Sequence, residues 1–147
     1  MRKLLFLILP AGLLLAMPWT VATGADWFAP YAWQNRHILV FSPTDHDQRL
    51  QSLRDDLRVL DAEVVDRRLL LWEVVPGASV RVDGKVSGIA GDPLRSEFQV
   101  APGDFAVILI GYDGEEKLRQ ERVDLPRIFG EVDRMPIRRM EMEQVED

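Results

Sequence analysis

The chain has 147 residues, 18 Lys and Arg against 24 Asp and Glu, a net charge of −6 and no cysteine. That length holds one domain, and its acidic balance repels a phosphate backbone, so nucleic acid is not expected as a partner. The missing sulfur excludes disulfides and thiol catalysis, which leaves the fold to packing alone.

Residues 1–25, "MRKLLFLILPAGLLLAMPWTVATGA", set Arg2 and Lys3 ahead of an apolar run from Leu4 to Met17, followed by small residues. This is the layout of a secretory signal peptide, with cleavage after Ala22, Gly24 or Ala25. The run is shorter than the ~20 residues a spanning helix needs, and Pro10 and Gly12 interrupt it. The expected location is therefore secreted or periplasmic, with no stable membrane insertion after cleavage. Cleavage removes two cations and no acid, which leaves a domain over 26–142 and an acidic tail over 143–147 expected to fray.

"DWFAPYAWQNR" then groups Trp27, Phe28, Tyr31 and Trp33, rings expected to pack onto the domain. "HILVF" (37–41) is a continuous apolar run and predicts a strand buried on both faces, as in parallel sheets. After Ser42-Pro43, Thr44 or Asp45 can cap a helix on which Leu50, Leu53, Leu57, Leu60 and Val64 share a face. "RRLLLWEVV" (67–75) predicts a second buried strand, centred on 69–75. "SVRVDGKVSG" alternates around Asp83-Gly84 and predicts a small hairpin at the rim of the sheet. Asp92 as cap and Pro93 at the first helical position predict a short helix carrying Leu94 and Phe98. "FAVILIG" (105–111) is the strongest strand signal, and "YDG" turns it into a partner over 116–123. "DLPRIFGEVDRMP" closes with a helix whose apolar face is Leu125, Ile128, Phe129 and Val132. A right-handed crossover makes the first two strands parallel, and the later hairpin adds antiparallel neighbours. The fold class is α/β: a thioredoxin-like three-layer arrangement, a central mixed sheet flanked by helices.

Three stretches carry a family likeness: "WQNRHILVF" (33–41), "FAVILIGYDGEEKLR" (105–119) and "VDRMPIRRMEM" (132–142). Together they resemble a peroxiredoxin-like domain of unknown function with a thioredoxin fold. That family occurs in small secreted bacterial proteins and in animal sushi-repeat-containing and coiled-coil-domain-containing extracellular proteins. Tyr112 stands where the family pattern has a lysine before Asp-Gly. The resemblance implies fold and location, because the family has no established activity.

In thioredoxins and peroxiredoxins the loop after the first buried strand holds a cysteine activated by the helix N-terminus. Here that loop is Ser42, Pro43, Thr44, Asp45 and His46, and none of these can enter the sulfur oxidation ladder. The loop is a candidate anion site or vestigial active-site pocket, weighed against simple capping. "DHD" (45–47) invites a metal reading, but adjacent helical residues fan out by about 100°, and a cation would meet the positive end of the helix dipole. No metal, cofactor or catalytic residue is assigned. Met135, Arg138, Arg139 and Met140 form a candidate partner surface, since arginine and methionine favour protein contacts. The expected function is an exported thioredoxin-fold module without redox cysteines, binding or structural, with a possible protein partner. The alternative is an oxidoreductase-related protein with a vestigial or non-thiol pocket at the first strand-helix loop.

Overall fold

Apolar residues on both sides of one strand set the architecture. That strand, β1 (Arg36–Phe41), is buried at every position. It pairs in parallel with β2 (Leu69–Val74) on one side and antiparallel with β5 (Ala106–Ile110) on the other. The structure, a computed structural model, describes residues 27–144, so the expected signal peptide (1–25) and tail residues 145–147 lie outside the described residues. The hairpin of β3 (Ser79–Val82) and β4 (Lys85–Ala90) extends the sheet beyond β2, and β6 (Glu116–Gln120) extends it beyond β5. The six-stranded order is β4-β3-β2-β1-β5-β6, mixed but mostly antiparallel, consistent with the expected thioredoxin-like α/β fold.

Strand alternation divides the core in two. One face carries Leu39, Phe41, Trp72, Val74, Ile108 and Ile110 under Phe28, Leu94 and Phe98. The other carries Ile38, Val40, Leu69, Val107 and Leu109 under helices α1 (Gln48–Val59) and α4 (Leu125–Arg134), which contribute Leu50, Leu53, Leu57, Ile128 and Val132. At the β3–β4 turn, Asp83 (φ 47°) and Gly84 (φ 75°) both take the left-handed conformation that a two-residue hairpin needs.

Several local expectations are corrected. The cap of α1 is Asp47, whose carboxylate accepts from the Arg49 N–H at 2.9 Å, and not Thr44 or Asp45. Asp45 is drawn away by arginines, as described below. The helical face through Leu60 and Val64 is split at Leu60 into α1 and α2 (Asp61–Asp66), whose first turn holds Asp61 and Glu63, where acids suit the dipole. Helix α3 (Gly91–Glu97) starts before Asp92, with Ala90 at the cap position. Asp92 instead accepts from the Gly77 N–H at 2.9 Å and pins the preceding turn. The closing helix breaks at Met135, an extended residue ahead of a proline, and continues as α5 (Pro136–Glu143).

Candidate functional site

The C-terminal end of β1 delivers Ser42 into the sheet interior. Its N–H continues the parallel ladder to the Val74 carbonyl at 3.0 Å, and its Oγ–H donates to the Thr44 carbonyl at 2.8 Å. Its own carbonyl accepts from Arg95, which also donates to the carbonyls of Ala101 (2.7 Å) and Val74 (3.3 Å). Arg95 is buried and lies over the Phe41 ring, and desolvation holds it below its ordinary value. Ser42 is thus fully engaged. Pro43 is half-buried, while Thr44 and His46 are exposed.

Asp45 leaves the loop to join a cluster of four charges. Arg54 on α1 forks the Glu73 carboxylate through Nε (2.8 Å) and Nη2 (2.6 Å), and its Nη2 also reaches Asp45 at 2.7 Å. Arg81 on β3 donates to Glu73 at 3.0 Å and to Asp45. Burial alone would raise the Glu73 carboxyl, but the two guanidiniums outweigh it and hold it below its ordinary value. The hydrogen bond from Arg54 is the main cause that lowers Asp45. Asp47 is likewise tied to Arg49 at 2.6 Å, so neither acid of the "DHD" stretch is left to a metal. Among the described residues no three His, Asp or Glu side chains converge.

The cluster forms one end of an open groove of about 830 Å³. Leu69, Leu71 and Glu73 of β2 line it, together with Leu57 and Val64 from α1 and α2. Arg58 and Arg68 line it from exposed positions, as does Asp61. The groove exists because α1 and α2 cover β2 while the β3–β4 hairpin carries the sheet beyond their edge.

The second candidate group divides. Arg138 is buried, with its guanidinium on the Asp66 carboxylate, the Asp66 carbonyl (3.0 Å) and Asp133 (3.4 Å). It ties α5 to α2 and offers no charge to a partner. Met135 is half-buried at the α4–α5 break, and Arg139 and Met140 face outward. Behind this group, Arg36 donates to the Arg67 carbonyl (3.0 Å), the Tyr112 hydroxyl (3.0 Å) and Glu141 (3.2 Å). Tyr112 in turn donates to Glu141 at 2.6 Å, and burial followed by that carboxylate raises its pKa. Tyr112 therefore anchors α5 to the sheet. Trp33 lies at this end, its N–H on the Tyr112 carbonyl at 3.1 Å, on the far side of β1 from Ser42.

Sequence reasoning brought forward Asp45 but missed Arg54, Glu73, Arg81, Arg95 and Arg36. A signal was present for two of them. Glu73 is a lone acid inside "LLLWEVV" and Arg36 a lone cation opening "RHILVF", and a charge in a buried strand demands a partner.

A family model described as "Domain of unknown function (DUF4174)" matches residues 28–141, most of the chain. Neither a curated protein nor a solved structure matches.

Proposed function

The chain belongs to the DUF4174 family, and on that premise we propose that it is a cysteine-free thioredoxin-fold binding module of an exported compartment. The groove beside the Ser42–His46 loop is its ligand surface. One observation carries this reading: the two buried or half-buried groups at the strand end that could do chemistry, Ser42 and Asp45, are already committed to the fold. The Ser42 hydroxyl closes its own turn, and Asp45 is paired with Arg54 and Arg81. What faces solvent beside them is a wide groove with balanced charges and an apolar floor, which suits recognition of a chain segment. The N-terminal layout of cations, apolar run and small residues supports export. The likeness to peroxiredoxin-like extracellular domains belongs to the same reading.

Capture experiments with the exported fraction test it. Arg58→Glu with Arg68→Glu, at exposed positions on the groove, abolishes capture of the specific partner. Ser42→Ala with Thr44→Ala leaves capture intact. A peroxide-consumption assay shows nothing above buffer. Turnover of a hydroperoxide, or loss of every interaction on removing the two hydroxyls alone, would overturn the proposal in favour of a non-thiol active site.

A further inference from the structure

A carboxylate has two acceptor oxygens, and one that binds two residues can give each its own. Asp133 gives Oδ2 to Arg67 (2.7 Å) and Oδ1 to Arg138 (3.4 Å). Glu141 gives one oxygen to Arg36 (3.2 Å) and the other to Tyr112 (2.6 Å). Asp45 does not divide itself in this way. Arg54 Nη2 (2.7 Å) and Arg81 Nη2 converge on its Oδ1, and no hydrogen bond reaches Oδ2 among the described residues.

The two arginines are held apart from Asp45. Buried Glu73 is forked by Arg54 and met by Arg81 Nε at 3.0 Å, so both guanidiniums stay in place whatever Asp45 does. The loop in turn keeps its course without the Asp45 carboxylate. Asp47 caps α1, the Ser42 hydroxyl closes on the Thr44 carbonyl, and Gln51 Nε2 holds the Asp45 carbonyl at 2.9 Å. The point where the two Nη2 groups meet is open to the groove: the Asp45 side chain is 44% exposed and that of Arg81 35%. Arg81 also has spare donors, because its Nη1 has no partner among the described residues. It stands between the groove and an adjoining hollow of about 380 Å³ lined by Val75, Ala78 and exposed Val86. With Asp45 swung out, two cations would face one buried acid, an excess of one positive charge beside an apolar wall.

The geometry points to this spot as a carboxylate seat. A Glu or Asp side chain of the segment bound in the groove displaces Asp45, gives each Nη2 its own oxygen, and lays a neighbouring apolar side chain against Val86. Asp45 is the resident competitor that fills the seat until then. The inference rests on the reading of the groove as a ligand surface and names the chemistry of its partner.

The probe is acetyl-Glu-Val-amide, with acetyl-Gln-Val-amide as its uncharged counterpart. Each is titrated into the full chain while NMR follows the Arg54 and Arg81 Nε–H resonances. Ion pairs this exposed hold weakly, and a seat vacant about a tenth of the time cuts apparent affinity about tenfold. Asp45→Ala should therefore bind the Glu probe about tenfold more tightly than the parent, with a dissociation constant on the order of 1 mM. The Gln probe should gain nothing, and adding Arg81→Met should abolish the gain. Asp45→Asn, which keeps the outline of the side chain, serves with the same expected ranking if the alanine variant fails to fold. The proposal fails if Asp45→Ala binds the Glu probe no better than the parent, if the Gln probe gains as much, or if the gain survives Arg81→Met. Capture of a partner that depends on Arg58 and Arg68 but is unaltered by Asp45→Ala leaves the groove reading standing and overturns the seat.

Discussion

Acidification to pH 5 should weaken this protein through a single imidazole, His37. The ring is 1% exposed, Phe28 stacks on it at 4.8 Å between centroids, and Tyr31 and Trp72 meet it edge-on at 5.5 and 5.4 Å. Its Nδ1 accepts the Trp72 Nε1–H at 3.0 Å, which requires that nitrogen to be unprotonated. Burial lowers the pKa from 6.5 to about 4. Above pH 6.5 the ring is neutral in both folded and unfolded chains, and stability is complete. Below it the unfolded chain takes up a proton that the folded chain refuses until about pH 4, so stability is lost across that window. At ~1.4 kcal/mol per pH unit, the loss reaches about 2 kcal/mol at pH 5. The carboxylates act lower down. Asp45, Glu73, Asp113 and Asp133 are all held below ordinary values of 3.8 to 4.5, so their contribution is present above that range and fades beneath it. Urea unfolding followed by circular dichroism at pH 7.5, 6, 5.5 and 5 measures the slope. His37→Gln should flatten it whatever the variant's absolute stability, whereas His46→Gln, at an exposed position, keeps it. A parent protein with equal stability at pH 7.5 and 5, or a slope that survives His37→Gln, would refute the reasoning.

Arg54→Met leaves the 5%-exposed Glu73 with Arg81 alone and should cost about 3 kcal/mol in denaturant unfolding, much of it recovered by adding Glu73→Gln. Gly91→Ala should destabilise by about 1–3 kcal/mol, because its Cβ would lie 2.8 Å from the backbone oxygens of both Val75 and Ala78. Gly88→Ala, with nothing within 4 Å, should shift the midpoint by less than about 0.5 kcal/mol. Arg138→Met cuts the tie between α5 and α2, and amide exchange over Pro136–Glu143 should rise about tenfold while β1 and β5 keep their protection.

Local chain chemistry was enough to mark where most elements lie. An apolar run bounded by Pro43, leucines at spacings of three and four, and the Asp83-Gly84 turn each encode their element within a few residues. Those signals carried the parallel pairing of β1 with β2 and the β5–β6 hairpin, both observed. They failed wherever a side chain had to choose among distant partners. Asp45 could cap a helix from its position in the chain, yet α1 and β3 bring Arg54 and Arg81 to it, and Asp47 takes the cap. Arg138 belongs to an exposed-looking "RMPIRRM" run, yet the break at Met135 turns it inward onto Asp66. Periodicity reports which face of an element is apolar, and it is silent on charge pairing between residues 9 to 105 positions apart. The charged cluster at the groove and the buried Arg36–Glu141 pair arise from that pairing, because only packing brings such groups within hydrogen-bonding reach and removes the water that would otherwise satisfy them.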